Sequence, residues 1–353
     1  MPWSLEYPLK LLVPRLRIYQ VSEPISAHSY IGAVVIGRNE GLRLKQCLTS
    51  LRDDIEHIVY VDSGSSDGSV QMALEMSVRV VELDMTKPFT AARARNAGLT
   101  ALLEYNPQLD YVQFVDGDCE VQRAWLDVAF EFLSIQQDFA AVCGRRRERY
   151  PTATIYNQLC DIEWDTPIGE AKACGGDALF RVSALTAVDG YRDSLIAGEE
   201  PEMCCRMRQL GWKIMRIDAE MTLHDAAMTR FSQWWKRNQR AGHAYAEGYA
   251  LHGKSSEKFK QSECLSILFW SFLLPLAIIV MSIKVSWMLV LFLVYPLQII
   301  RLTLRYRRRL SDVKVAFAYA VSNVVGKWPQ LIGMLQFVKN KKLGLRSQLI
   351  EYK

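Results

Sequence analysis

From Tyr30 onward the chain alternates short unbroken apolar runs with segments whose apolar residues recur every three or four positions. YIGAVVIG (30–37), IEHIVYVD (55–62), VRVVEL (78–83) and DYVQFVD (110–116) have the length and β-branched content of buried strands. Between them, NEGLRLKQCLTSL (39–51), SDGSVQMALEM (66–76) and TAARARNAGLTALLEY (90–105) read as amphipathic helices, and WLDVAFEFLSI (125–135) follows as another. This alternation predicts an α/β domain, a parallel sheet flanked by helices over residues 30–250, with ligands bound beyond the carboxyl ends of the strands. The stretch from Ala140 to Asp225 is less regular and is expected to hold a second substrate. FSQWWKRNQRAGHAYAEGYALH (231–252) reads as a helix, with Trp234 and Trp235 as core residues or membrane-interface anchors, the latter favoured. Residues 251–263 form a polar, basic linker.

Two runs without a charge follow, CLSILFWSFLLPLAIIVMSI (264–283) and VSWMLVLFLVYPLQII (285–300). An uncharged helix of about 20 residues matches the roughly 30 Å hydrocarbon layer, so residues 264–300 are expected to form a transmembrane helical hairpin turning at Lys284 and Ser286. The chain has 353 residues and a formal charge of +5, which hides a division. From Cys264 to Lys353 there are thirteen Lys or Arg and two Asp or Glu, while the preceding part is net acidic. Lys258 and Lys260 precede the hairpin and Arg301, Arg305, Arg307, Arg308 and Arg309 follow it, which predicts both flanks, and with them the α/β domain, on the cytoplasmic side of the cell membrane. Residues 301–353 are expected as a basic, amphipathic cytoplasmic tail. Within it, 315–338 is interrupted by Lys327 and Pro329 and reads as an interfacial segment in contact with membrane lipids. Residues 1–29 read as a leader, itself able to lie on a membrane surface.

Composition excludes disorder, a collagen-like chain and a small disulfide scaffold. The eight cysteines contain no C-x-x-C and are expected to be reduced, buried hydrophobes. The basic and aromatic residues follow no nucleic-acid-binding module, and no nucleic-acid partner is expected.

The strongest local chemistry is FVDGDCE, in which Asp116 and Asp118 end an apolar strand. Paired carboxylates there suit a hard divalent cation, Mg²⁺ or Mn²⁺, although an isolated D-G-D is more often a surface turn. Asp62 ends another strand and is followed by the Ser- and Gly-rich SGSSDGS, where a carboxylate can accept hydrogen bonds from a ribose or base edge. This turn lacks the G-x-G-x-x-G of a dinucleotide fold and the G-K-[ST] of a P-loop. Glu199, Glu200 and Glu202 open a helix, a position that carboxylates favour on electrostatic grounds alone.

AVVIGRNE, VDSGSSDGS, AARARNAGL, FVDGDCE and GEEPEMCCRMRQLGW, in this order, resemble the successive motifs of the family 2 glycosyltransferases over about residues 30–225. The resemblance implies a GT-A fold, a Rossmann-like nucleotide-sugar-binding domain. It places Ile36, Gly37 and Glu40 in the first nucleotide-contacting loop, Asp62 at the nucleoside, and Arg95 and Asn96 beside the donor. Asp116 and Asp118 match the family's D-x-D, with Asp118 the direct metal ligand and His224, in TLHDAAMT, completing the metal site. Glu199 and Glu200 occupy the position of the catalytic base, Glu200 aligning with an aspartate one methylene shorter. Asp177, in CGGD, is a further contact near the donor sugar or acceptor. Processive members carry Q-x-x-R-W; here QWWKR has no tryptophan after Arg237, which points to a single addition.

The expected function is therefore an inverting transfer of one sugar from a nucleotide-sugar donor to a lipid-linked or membrane-docked acceptor in cell-surface glycan assembly. A polyprenyl-phosphate glycosyl synthase and a non-catalytic membrane scaffold are the alternatives.

Overall fold

The structure, a computed structural model, describes residues 27–351. Nearly all of the expected leader lies outside the described residues. The first half of the catalytic sheet forms as its hydrophobic pattern dictates. β1 (Ile31–Gly37), β2 (His57–Asp62), β3 (Arg79–Glu82) and β4 (Tyr111–Asp116) pair in parallel and are joined by α1 (Leu42–Arg52), α2 (Ser69–Glu75) and α3 (Ala91–Tyr105). Thr90 caps α3 by accepting the Arg93 amide at 3.1 Å, which starts the helix one turn before Arg95.

The sheet then departs from an all-parallel one. β5 (Cys119–Val121), α4 (Trp125–Ile135), β6 (Phe139–Glu148), α5 (Ile155–Trp164), β7 (Gly169–Glu170), β8 (Ala178–Arg181), α6 (Val182–Ala187), α7 (Glu199–Gln209) and β9 (Lys213–His224) follow. The strand order is β3-β2-β1-β4-β8-β6-β9-β5, with β7 on β9. β8 runs antiparallel to both β4 and β6, and β5 antiparallel to β9, so the sheet is mixed. These strands are two to four residues long apart from β6 and β9, too short to show a period, and antiparallel neighbours need no crossover helix to announce them. The core between sheet and helices holds the fully buried Phe114, Phe180, Leu44, Leu102 and Trp125; the Trp125 indole donates to Gln113 Oε1 at 2.9 Å.

After β9 the chain becomes helical. α8 (Phe231–His252) ends in turns that are docked onto the domain, Glu257 pairing with Arg208 at 2.6 Å. α9 (Gln261–Leu268) continues through a π-helical turn, Phe269–Leu273, into α10 (Leu274–Lys284). After Val285 a 3₁₀ stretch, Ser286–Leu293, leads into α11 (Val294–Tyr306). The two continuous helical spans, Gln261–Lys284 of 24 residues and Ser286–Tyr306 of 21, are long and apolar enough to cross a membrane, and their apolar side chains are largely exposed. The Tyr295 hydroxyl joins them by donating to the Trp270 carbonyl at 2.5 Å.

α12 (Val313–Val325) and α13 (Lys327–Lys342) meet at Gly326, where the interruption by Lys327 and Pro329 was expected. α13 packs closely against α8: a Cβ on Gly242 would collide with the Gln330 backbone, and one on Gly333 with the Gln239 carbonyl. One face of the expected interfacial segment is thus buried on the catalytic domain, while Phe317, Ile332 and Leu335 remain exposed. The same packing corrects the reading of Trp234 as an interface anchor. It is 4 % exposed among Leu159, Cys160 and Met228, and its indole donates to Ser322 Oγ at 3.1 Å. Trp235 packs against that cluster too. All eight cysteines are free, and all except Cys174 are buried.

Candidate active site

Strand register brings the carboxyl ends of three strands to one edge. Ile36 lies opposite Asp116 and Gly37 opposite Asp62, so the ends of β1, β2 and β4 converge. The amide of Gly117 donates to the Ile36 carbonyl at 2.8 Å, and Glu40 packs under the same turn, paired with Arg43 at 2.7 Å. Asp62 is buried. Its Oδ2 accepts the amides of Gly64 and Ser65 at 2.9 and 2.8 Å and its Oδ1 the Tyr60 hydroxyl at 2.8 Å, which fixes the start of the SGSSDG turn.

Asp118 stands immediately before β5, and the β5–β9 ladder sets Cys119 opposite His224. The buried Asp118 Oδ2 consequently lies 3.1 Å from His224 Nε2, across 106 positions of sequence. Trp164 stacks on the imidazole with ring centroids 4.6 Å apart and planes within 6°, which holds its orientation. Burial, reinforced by Asp177 and Asp118, pushes the Cys119 thiol well above its ordinary range and keeps it protonated. The donors left at this point are carboxylate oxygen and imidazole nitrogen, a set that suits Mn²⁺ or Mg²⁺ better than a thiophilic ion.

Asp116 belongs to a different network. Arg95, 3 % exposed, bridges Asp116 Oδ1 and Glu199 Oε1, both at 2.7 Å. Burial pushes the Asp116 carboxyl up, but the Arg95 and Arg146 guanidinium groups outweigh it and hold the group below the ordinary carboxylate range. Behind it, the wholly buried Asp177 accepts the Asp116 amide at 3.2 Å, Arg146 at 2.8 Å and Thr222 Oγ1 at 3.0 Å. Gly176 fills the remaining gap: a Cβ there would lie 2.7 Å from Arg95 Nη2 and 3.0 Å from Asp116 Oδ2.

Glu199 and Glu200 open α7 after Gly198, whose φ of 75° admits glycine without strain. Glu200 is 3 % exposed, and its Oε1 accepts the Cys174 amide at 2.7 Å and the thiols of Cys174 and Cys204 at 3.1 and 2.8 Å. Burial pushes the Cys204 thiol up to about 11, so it serves as a donor. Glu200 Oε2 has no hydrogen-bond partner among the described residues. Both glutamates line a cavity of about 600 Å³ whose other walls come from α8, α12 and α13.

Residues 33–184 match the profile of glycosyl transferase family 2. The chain carries a family 2 glycosyltransferase domain. The domain has the GT-A fold: the mannosyltransferase PcManGT from Pyrobaculum calidifontis, solved in complex with GDP-Man and Mn²⁺, superposes with a TM-score of 0.56 at 19 % identity, covering 83 % of this chain and 86 % of that one. The structure of S. aureus TarS 1-349 matches with a TM-score of 0.50 at 14 % identity over 84 % and 91 % of the two chains. In sequence, the glycosyltransferase domain is similar to the TPR repeat-containing protein Synpcc7942_0270 of Synechococcus elongatus, 27 % identical over 50 % of this chain and 39 % of that protein. It is also similar to the pre-mycofactocin glycosyltransferase of Mycobacterium tuberculosis, 22 % identical over 60 % and 46 %. The matched region spans less than half the length of these relatives.

Within this glycosyltransferase domain, Asp118 pairs with His224, Arg95 joins Asp116 to Glu199, and Glu200 follows Glu199 at the head of α7. Two residues expected to touch the donor are held by the scaffold. The Asn96 amide nitrogen donates to the Tyr191 carbonyl and to Asp193 at 2.6 and 2.7 Å, and its oxygen accepts the Tyr191 amide at 2.9 Å. Asp177 has no exposed surface. Its position makes it a support for Asp116 and Arg146. Sequence reasoning missed Arg146 and Trp164. The arginine run in β6 was visible, but which of its members turns inward is decided by the irregular register of the parallel β6–β9 ladder, which the pattern did not reveal.

Proposed function

We propose that the protein is an inverting glycosyltransferase that moves one sugar from a nucleotide-sugar donor to an acceptor hydroxyl presented at a membrane. The observation that carries this reading is the adjacency of two half-sites. Asp118 and His224 would hold a divalent cation, Mn²⁺ or Mg²⁺, and the glutamate pair borders the cavity beside α8. When bound, such an ion supplies neutralisation of the charge that develops on the leaving diphosphate. Arg95 fixes Asp116 and Glu199 against one another and keeps the donor side rigid.

Glu200 is the better candidate for the base. Glu199 is already ion-paired with Arg95, whereas Glu200 has no cationic partner among the described residues and is anchored through one oxygen, leaving the other for the acceptor proton. One base with in-line displacement inverts the anomeric configuration. The donor-binding loops are those of Ile36, Gly37, Glu40 and Asp62. Absence of Q-x-x-R-W supports a single addition, and Arg237 of QWWKR pairs with Glu163 at 2.6 Å in the cavity wall.

The two apolar helices and the arginines that flank them support anchoring in the cell membrane with the catalytic domain in the cytoplasm, and hence a lipid-linked acceptor of cell-surface glycan assembly. A screen of common nucleotide sugars by thermal shift with Mn²⁺ tests the donor half. One of them is expected to raise the melting temperature of the native protein and not that of Asp118→Ala; no stabilisation by any member would refute the reading.

A further inference from the structure

The cavity beside Glu200 has a wall that the sugar-transfer chemistry does not use. α8 contributes Arg237 and Arg240, and the α12–α13 junction contributes Tyr319, Asn323 and Lys327. Arg237 is neutralised by Glu163. Lys327 is half-buried and, among the described residues, has neither a hydrogen bond nor a carboxylate within ion-pair distance. The acidic group that acts on it, Glu263, is itself paired with Lys260 at 3.1 Å. Burial pushes the Lys327 ammonium below its ordinary value. A partly desolvated cation without a partner is unfavourable in isolation and is relieved by an anion brought into the same cavity.

The neighbouring residue shows where the rest of such a ligand would go. The Trp328 ring lies 5.4 Å from that of Tyr295, which in turn contacts Trp270 and Phe292 of the apolar hairpin at 6.0 and 6.3 Å. Tyr306, at the end of α11, packs on Tyr319 of the cavity wall at 4.6 Å. One residue therefore separates the cation in the cavity from the surface of the hairpin.

We infer that Lys327, together with Arg240, forms a subsite for the phosphate or diphosphate group of the acceptor lipid, with the apolar chain leaving past Trp328 along α10 and α11. The inference rests on the reading of this cavity as the acceptor site. The anion holds the acceptor at the junction between membrane and catalytic domain, so that its sugar hydroxyl, and not its phosphate, reaches Glu200.

The test measures binding of farnesyl diphosphate, inorganic pyrophosphate and farnesol to the full chain in detergent micelles, with EDTA present so that metal-dependent diphosphate binding at Asp118 and His224 is silent. Farnesyl diphosphate is expected to bind, farnesol to bind at least about tenfold more weakly, and Lys327→Met to lose about tenfold in affinity, the scale of one charge-assisted hydrogen bond. Lys327→Arg is expected to retain binding, and Asp118→Ala to bind as the native protein does. Inorganic pyrophosphate binding with the same Lys327 dependence and equal affinity would overturn the lipid part. Equal binding of farnesyl diphosphate by native protein and Lys327→Met, or an equal loss in Asp118→Ala, would overturn the subsite. Nucleotide-sugar hydrolysis by the same preparations separates the two readings: hydrolysis retained in Lys327→Met with unchanged lipid binding sinks only the subsite, whereas Lys327-dependent binding without any hydrolysis in the native protein sinks only the transferase.

Discussion

At Gly176 a single hydrogen atom leaves room for an ion pair. A methyl group there would press between Arg95 Nη2 and Asp116 Oδ2, so Gly176→Ala is expected to lower kcat by at least about tenfold through misplacement of the donor wall, with a smaller change in melting temperature. Arg95→Met removes the cation shared by Asp116 and Glu199. Stripping one partner from a buried ion pair costs about 3–5 kcal/mol, and denaturant titration is expected to show a loss of that order. Motifs in sequence order identified Asp118 and His224, but their contact was not legible in spacing or composition, because it depends on the β5–β9 register. Asn96 and Asp177 show the opposite limit: a motif marks the neighbourhood of a ligand, while hydrogen-bond partners decide whether a polar side chain meets the ligand or the scaffold.

Among the elements, the α8–α13 contact is the one on which the cavity beside Glu200 depends. The Gly242 and Gly333 backbones approach too closely for a side chain, so Gly333→Leu is expected to separate the helices, lowering the melting temperature and raising KM for acceptor more than for donor. Near the same seam, His243 is wholly buried, with its Nε2 2.8 Å from Ser347 Oγ and its Nδ1 3.5 Å from Glu247 Oε2. Burial, only partly opposed by Arg192 and Lys341, pushes the Glu247 carboxyl up to about 7. A folded-state value above the unfolded one means that ionisation opposes folding, so Glu247 by itself makes the native protein lose stability as pH rises from 4.5 to about 7, while His243, which burial pushes down to about 4, works in the opposite direction up to 6.5. Glu247→Gln is expected to make the slope of the stability–pH curve between pH 4.5 and about 7 more positive than in the native protein, because it removes the falling contribution and leaves that of His243; an unchanged slope in thermal melts would contradict the assignment. The first four strands and α8 were legible because each is long enough to show its period. β5 and β8 were not, and Trp234 was misread because an aromatic beside a polar linker looks the same in sequence whether it faces lipid or, as here, the Leu159 cluster.

At the scale of the whole molecule, the charge division between the two halves corresponds to a physical one. The acidic part contains the carboxylate-lined site, and the basic part contains two exposed apolar helices and the helices that close the cavity. If the hairpin crosses the membrane as its flanking arginines dictate, Ser286→Cys is expected to react with a membrane-impermeant maleimide from outside intact cells, and Arg308→Cys only after permeabilisation. The reverse pattern would invert the topology, and release of the protein by alkaline carbonate would remove the membrane from the account. The central claim remains the chemistry at Asp118 and His224. Its most direct test is the rate of nucleoside diphosphate release from the donor identified by thermal shift, measured for the purified full chain with Mn²⁺ and for Asp118→Ala. The native protein is expected to turn over and the variant to be slower by at least about 10²-fold, the scale of losing one preorganised electrostatic group; equal rates in the two proteins would contradict it.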